Sequence, residues 1–319
     1  MLRSFLIYLS KAAWAQNMVT SWGFAWRTAS RFVAGTKIND AIRAIRELNA
    51  KNINVTLDHL GEHTSNPEEA SEATDAIIST IDEIKKSKVC ANVSIKLTQI
   101  GLGLDESVCA QNLERILLRA KENNNFIRVD MEDTPYTDKT INLHCQMWKK
   151  GYKNTGLVLQ SYLYRTEADA RKLLEDRIPL RLVKGAYQEP ADKAFPKKAD
   201  VDANYDLLTK IMMDAALAAK SPKAGSEGCF PPIPAIGTHD EKRIAFAKQY
   251  AEKIGLPKDA FEFQMLYGIR RDLQEQLVKE GYLVRVYVPF GTHWYPYFMR
   301  RLAERPANVW FFLSNFFRN

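Results

Sequence analysis

Eight times along this chain a short β-rich run gives way to a helix-patterned segment. No other feature limits the possible folds as much. The runs are INVTLDHL (53–60), NVSIKLT (92–98), FIRVDME (126–132), TGLVLQSYL (155–163), PLRLVKGAY (179–187), IPAIGTH (233–239), FEFQMLYG (261–268) and LVRVYVPFG (283–291). Each is nearly continuous in apolar residues, as expected of strands buried on both faces. The segments that follow, such as PEEASEATDAIISTIDEIKKSK and DANYDLLTKIMMDAALAAK, space their apolar residues by three to four and keep charge on the outer face. Eight such units predict an α/β fold, a (β/α)8 barrel, over residues 51–319. The first 50 residues, with Trp14, Trp22 and Trp26, read as helices packed outside it.

Composition agrees with one large core: 46% of the 319 residues are hydrophobic. The net charge of +7 is spread over scattered pairs (Lys85-Lys86, Lys149-Lys150, Lys197-Lys198). Dispersed excess charge is a solvated surface, so no nucleic-acid partner is expected, while anionic ligands or an anionic membrane face both fit. Cys90, Cys109, Cys145 and Cys229 form no C-x-x-C pair, which points to a reducing compartment, the cytoplasm, and to no metal site. The opening MLRSFLIYLSKAAWAQ has too short an apolar stretch to span a bilayer and lacks a cleavage site. It reads as an amphipathic helix, and a peripheral position at the inner face of the membrane stays open.

A barrel places its chemistry at the C-terminal ends of its strands. The residues predicted there are Asp58, Lys96, Asp130 with Glu132, Gln160, Lys184, Thr238 with His239, Gln264 and Tyr287. A purely structural barrel has no need of this polar ring, and it reads as an active-site mouth. HLGEH (59–63) matches a zinc-peptidase pattern, but it follows a strand, contains Gly61 and runs into a loop, whereas that chemistry needs both histidines on one helix. GLGLDE (101–106) lacks the third glycine of a dinucleotide turn. Lys96 and Lys184 suit either a Schiff base or a plain cation for an anionic substrate. In RLVKGAY, Gly185 and Ala186 let backbone approach a large ligand, or simply make a tight turn. In GTHD, Thr238 and His239 suit a phosphate at a helix N-terminus, or a threonine cap beside a surface histidine.

The stretch YVPFGTHWYPYFMRRLAERP (287–306) sets Arg300 and Arg301 among aromatics. Two adjacent helical arginines diverge by about 100°. They therefore reach one ligand only if the helix lies across its edge; otherwise they pair with Glu304 on the surface. Beside Trp294, Tyr295 and Tyr297, a carboxylate clamp under an aromatic lid is the favoured reading.

The ordered stretches LDHLGEHT, VSIKLTQIG, RVDMEDTPY, LQSYLYR, LRLVKGAYQEP, IGTHD, FEFQMLYGIR and YVPFGTHWYPYFMRRLAERP span about residues 53–306. With them the chain resembles bacterial monofunctional proline dehydrogenases. The resemblance implies a distorted (β/α)8 barrel with its last helix over the mouth. It implies FAD-dependent oxidation of L-proline to Δ1-pyrroline-5-carboxylate, the first step of proline catabolism to glutamate. Hydride would pass to FAD N5, and the electrons to a quinone or another acceptor. Carried onto this chain, it puts Arg300, Arg301 and Lys96 on the proline carboxylate and Tyr287 on the proline ring. Asp130 and Arg181 stand at the reacting centre. Met131, Gln160, Arg181, Lys184, Gly185, Ala186, Thr238 and His239 hold FAD. Glu62 and Lys197 form a gate, where some relatives carry arginine at the second position.

Overall fold

The computed structural model describes residues 6, 8–9, 12–20, 23–61, 63–220 and 229–304. Every predicted strand is present, and together they close into one parallel barrel in chain order. The strands are β1 Asn54–His59, β2 Ala91–Ile95, β3 Ile127–Val129, β4 Thr155–Gln160, β5 Leu180–Val183, β6 Pro234–Gly237, β7 Glu262–Leu266 and β8 Leu283–Phe290. Neighbours pair in parallel throughout, and β1 closes on β8 from Asn54 opposite Arg285 to His59 opposite Phe290.

The helices are α1 Ala13–Thr20, α2 Gly23–Ala29, α3 Ile38–Asn49, α4 Pro67–Ser87, α5 Glu106–Glu122, α6 Thr134–Lys149, α7 Thr166–Glu175, α8 Lys198–Ala218, α9 Glu241–Ile254, α10 Arg271–Lys279 and α11 Trp294–Glu304. Side-chain caps fix several starts. Asn66 accepts from the Glu69 N–H at 2.8 Å, and Asp105 from those of Ser107 and Val108. The α6 helix starts earlier than its apolar pattern suggests, because Pro135 fits a first turn where no N–H is needed. The run 92–98 is strand only to Ile95. It then tightens into a 3-10 turn, Leu97–Ile100, that ends at Gly101 with φ 108°.

The strands are not uniformly apolar. Along β1, β2, β3, β7 and β8, polar residues alternate with the aliphatic and aromatic ones that face the helices. Val55 and Leu57, Val93 and Ile95, Phe263 and Met265, and Val284 and Val286 belong to the large core between sheet and helices. The other face, inside the barrel, presents Thr56 and Asp58, Ser94 with Lys96, Arg128 with Asp130, Glu262 with Gln264, and Arg285 with Tyr287, nearly all buried.

A second apolar cluster joins the N-terminal segment to α11. It contains Ala25, Ala29, Phe32 and Val33 together with Trp294, Tyr295, Phe298, Leu302, Leu60 and Ile269. Trp26 meets Trp294 edge-on at 5.5 Å, and the Tyr295 hydroxyl donates to the Leu9 carbonyl at 3.1 Å. Because Leu60 and Ile269 follow β1 and β7, and Tyr287 lies in the second half of β8, this cluster holds α11 across the C-terminal end of the barrel. The third helix differs: its Ala41, Ile42 and Ile45 belong to the core around the sheet.

Candidate active site

Four strands bring their polar ends to one point. Asp58 on β1, Lys96 after β2, Asp130 after β3 and Tyr287 on β8 form a closed network. Lys96 Nζ lies 3.0 Å from Asp58 Oδ2, 3.8 Å from Asp130 Oδ2 and 3.4 Å from the Tyr287 oxygen. The Tyr287 oxygen is 2.6 Å from Asp58 Oδ2 and 2.9 Å from Asp130 Oδ2. Burial, then the charges of Asp130 and Asp58, push the Tyr287 phenol well above its usual range, so it stays protonated. One proton thus faces two carboxylates, and donation to either leaves the other dependent on a cation.

For Asp130 that cation is Arg181. Its guanidinium pairs with Asp130, donates to Gln264 Oε1 at 3.2 Å and to the Ser94 hydroxyl at 3.4 Å, and lies 5.4 Å from the Tyr287 ring centre. Ser94 donates to Asp130 at 2.9 Å. Behind Gln264 stands Glu262, which accepts from its amide and pairs with Arg285. The amide is thereby oriented with its oxygen toward Arg181. Arg181 Nε is buried with no hydrogen-bond partner among the described residues, as is Asp58 Oδ1.

Most of the remaining predicted positions end β4 or follow β3, β5 and β6. Met131 is buried, and Gln160 donates to the Glu132 carbonyl at 2.8 Å. Glu132 itself is turned into the structure, accepting from the Thr98 amide and hydroxyl. Lys184 bridges Asp202 at 2.5 Å and Asp240 at 2.6 Å. Gly185 has φ 113°, and a Cβ there would lie 2.4 Å from the Tyr162 ring, so no other residue fits this turn. Ala186 follows it, half-buried. In GTHD the cap of α9 is Asp240, which accepts from the Lys242 N–H at 3.0 Å, and not the threonine. Thr238 accepts from the Asp240 N–H instead. His239 accepts from the Leu266 N–H through Nε2 at 2.8 Å, which assigns its proton to Nδ1.

On α11, Arg301 is buried with its guanidinium 5.0 Å from the Tyr297 ring centre, and Arg300 is half-buried. Lys197 is exposed at the N-cap of α8, while Glu62, its expected gate partner, lies outside the described residues. In HLGEH, His59 ends a strand against Phe290 and His63 sits in a loop with φ 53°, so the histidines do not share a helix. All four cysteines are free thiols.

Reasoning from sequence placed Asp58 and Gln264 at the mouth without a specific role and did not single out Ser94 or Glu262, which support them. Their signal is the two-residue polar spacing within otherwise apolar strands.

Residues 41–313 match the proline dehydrogenase family. Proline dehydrogenase 2 of Bacillus subtilis is 42% identical over 310 residues, covering 97% of this chain and 96% of the relative. The proline dehydrogenase of Deinococcus radiodurans is 44% identical over 290 residues, covering 90% and 89%. Among solved structures, proline utilization A from Bdellovibrio bacteriovorus, inactivated by N-propargylglycine, superposes with a TM-score of 0.79 at 25% identity. That match covers 88% of this chain and 33% of the larger protein, so the chain spans about a third of its length.

Proposed function

The chain belongs to the proline dehydrogenase family, and on that premise we propose that it oxidises L-proline to Δ1-pyrroline-5-carboxylate at the barrel mouth with bound FAD. The observation that carries this reading is the meeting of Lys96, Asp130, Arg181 and Tyr287 at the strand ends beneath a helix bearing Arg300 and Arg301. A small amino acid offers one carboxylate and one short ring, and this arrangement has a cationic grip for the first and an aromatic face for the second. Arg300, Arg301 and Lys96 take the carboxylate, with the guanidinium forks giving it direction. The Tyr287 ring packs on the substrate ring, its hydroxyl already committed to the carboxylates. Fixing both ends orients the ring C–H bond, which is entropic work done before the reaction.

Residues along β4, β5 and β6 fit the flavin. The buried Arg181 Nε has a donor to give, Gly185 and Ala186 offer backbone, and His239 carries its proton on Nδ1, facing away from Leu266. Met131, Gln160, Lys184 and Thr238 complete that lining. When bound, FAD supplies the hydride acceptor. Arg181 would hold positive charge suited to stabilising the reduced, anionic form of such a group.

The aldolase-like alternative asks for a neutral lysine amine. Lys96 and Lys184 are each ion-paired with two aspartates, which disfavours it. Pure protein should be yellow, and its visible absorbance should bleach when L-proline is added without oxygen. A colourless, folded preparation, or one trapped covalently by borohydride, would overturn the reading.

A second observation supports a quinone as the electron acceptor. Arg3, Lys11, Arg27, Arg31 and Lys37 precede the first acidic residue, Asp40. On the same segment Tyr8, Trp14 and Met18 are exposed, Trp14 at 59%. A segment with exposed aromatics and no acidic residue suits the interface of an anionic bilayer, where a quinone would be met. No helix among the described residues is long and apolar enough to cross a membrane.

A further inference from the structure

Asp58 is the least accessible member of the site, fully buried on β1. Its Oδ2 serves the two groups that face the substrate space, Lys96 at 3.0 Å and the Tyr287 hydroxyl at 2.6 Å. We propose that Asp58 is a positioning residue for carboxylate recognition: it holds Lys96 as an ammonium and directs the Tyr287 hydroxyl away from the substrate. This inference rests on the reading above, in which Lys96 joins the arginines on the proline carboxylate.

The argument is one of charge. Asp130 is matched by Arg181, which pairs with it directly, so it is a weak counterion for Lys96 at 3.8 Å. Tyr287 is neutral, and its single proton cannot compensate a cation. Lys96 meets Asp58 from β1, Asp130 after β3 and Tyr287 from β8, and Arg181 from β5 pairs with the same Asp130. Of these two carboxylates, Asp58 is the nearer to the lysine and the one not matched by Arg181. An ammonium buried this deeply gives up its proton more readily once its nearest counterion is removed. The Asp58–Lys96 pair therefore preserves a positive charge where a carboxylate must bind.

The test uses cyclopentanecarboxylate, which has the ring and the acid group of proline but no amine. Calorimetric titration of the flavin-loaded protein from pH 6 to 10 then reports only groups of the protein. The parent enzyme must first bleach with L-proline; failure there ends the functional reading and says nothing against Asp58. In Asp58→Asn the pH at which affinity is lost should fall by about one unit or more, since one unit corresponds to a modest change in ion pairing. Lys96→Met should bind weakly and without that pH dependence. The double variant Asp58→Asn/Lys96→Met should match Lys96→Met within about twofold, because residues acting as a unit are not additive.

Should Asp58→Asn fold poorly, thermal unfolding of the other two still decides. Lys96→Met alone leaves Asp58 without its cation, so the double variant should unfold at the higher temperature. The proposal falls if Asp58→Asn keeps the parent's pH profile or weakens binding equally at every pH. It falls also if the double variant is no more stable than Lys96→Met.

Discussion

Arg285 and Glu262 form an ion pair from which water is wholly excluded. The arginine Nε lies 2.9 and 3.2 Å from the two carboxylate oxygens, and neither side chain has any exposed surface. The arginine also donates to the Val55 carbonyl at 2.9 Å, tying β8 to β1 at the barrel closure. Removing one member strands a charge in the barrel interior. Glu262→Leu should cost about 3–5 kcal/mol, with Arg285→Met similar. The double replacement should recover much of the loss. Denaturant unfolding of the three variants measures this. Glu262→Leu should also depress turnover through Gln264 and Arg181.

Arg300→Lys and Arg301→Lys test the clamp. A lysine keeps the charge but loses the forked pair of donors. Each should raise the KM for proline about tenfold or more, the equivalent of one charge-assisted hydrogen bond of about 1.5–3 kcal/mol. Bound flavin should be unchanged. Parent-like KM in both variants would remove these arginines from the substrate site.

Gly185→Ala should lose flavin. The backbone at φ 113° and the Tyr162 ring 2.4 Å from the added methyl both oppose it. Relief requires the turn after β5 to move, at about 1–3 kcal/mol for the backbone alone. The ratio of flavin absorbance to protein absorbance reads the effect, and a normal ratio would show that this turn does not support the cofactor.

Stability should fall on mild acidification, partly because of His144. Burial, then the positive charges of Arg128 and Lys153, hold it down at about 3. Above about pH 6.5 the ring is neutral in folded and unfolded chains alike and adds no pH dependence. Below that pH the unfolded chain takes up a proton that the fold refuses until about pH 3, so stability drains through this window. The loss from this residue should be about 2 kcal/mol at pH 5. His59, lowered chiefly by burial, acts in the same direction. Comparing thermal unfolding of parent and His144→Leu at pH 5 and pH 8 isolates the contribution.

Much of this architecture was legible in the amino-acid order. Eight runs became eight strands because each pairs apolar length with a following amphipathic helix, and the helix set after β8 carries its arginines where the pattern put them. The polar spacing in Arg128-Val129-Asp130 and Glu262-Phe263-Gln264 was visible too, although those strands read as apolar throughout. Partner choice was not legible. Nothing local says that Lys184 turns to Asp202 and Asp240, since one sits on α8 and the other caps α9. The cap of α9 fell to Asp240 because Thr238 was already accepting the Asp240 N–H. The two-carboxylate embrace of the Tyr287 hydroxyl depends on barrel closure, which joins residues more than 150 positions apart.

The seam between Trp26 and Trp294, with Tyr295 reaching back to Leu9, sets an order of events during synthesis. The helix bearing both arginines finds its seat on segments that left the ribosome nearly three hundred residues earlier. Until it arrives, those early helices keep an apolar side without a mate, and a half-made chain cannot grip its substrate. Catalytic competence should therefore switch on late and all at once, as the last turn of α11 docks.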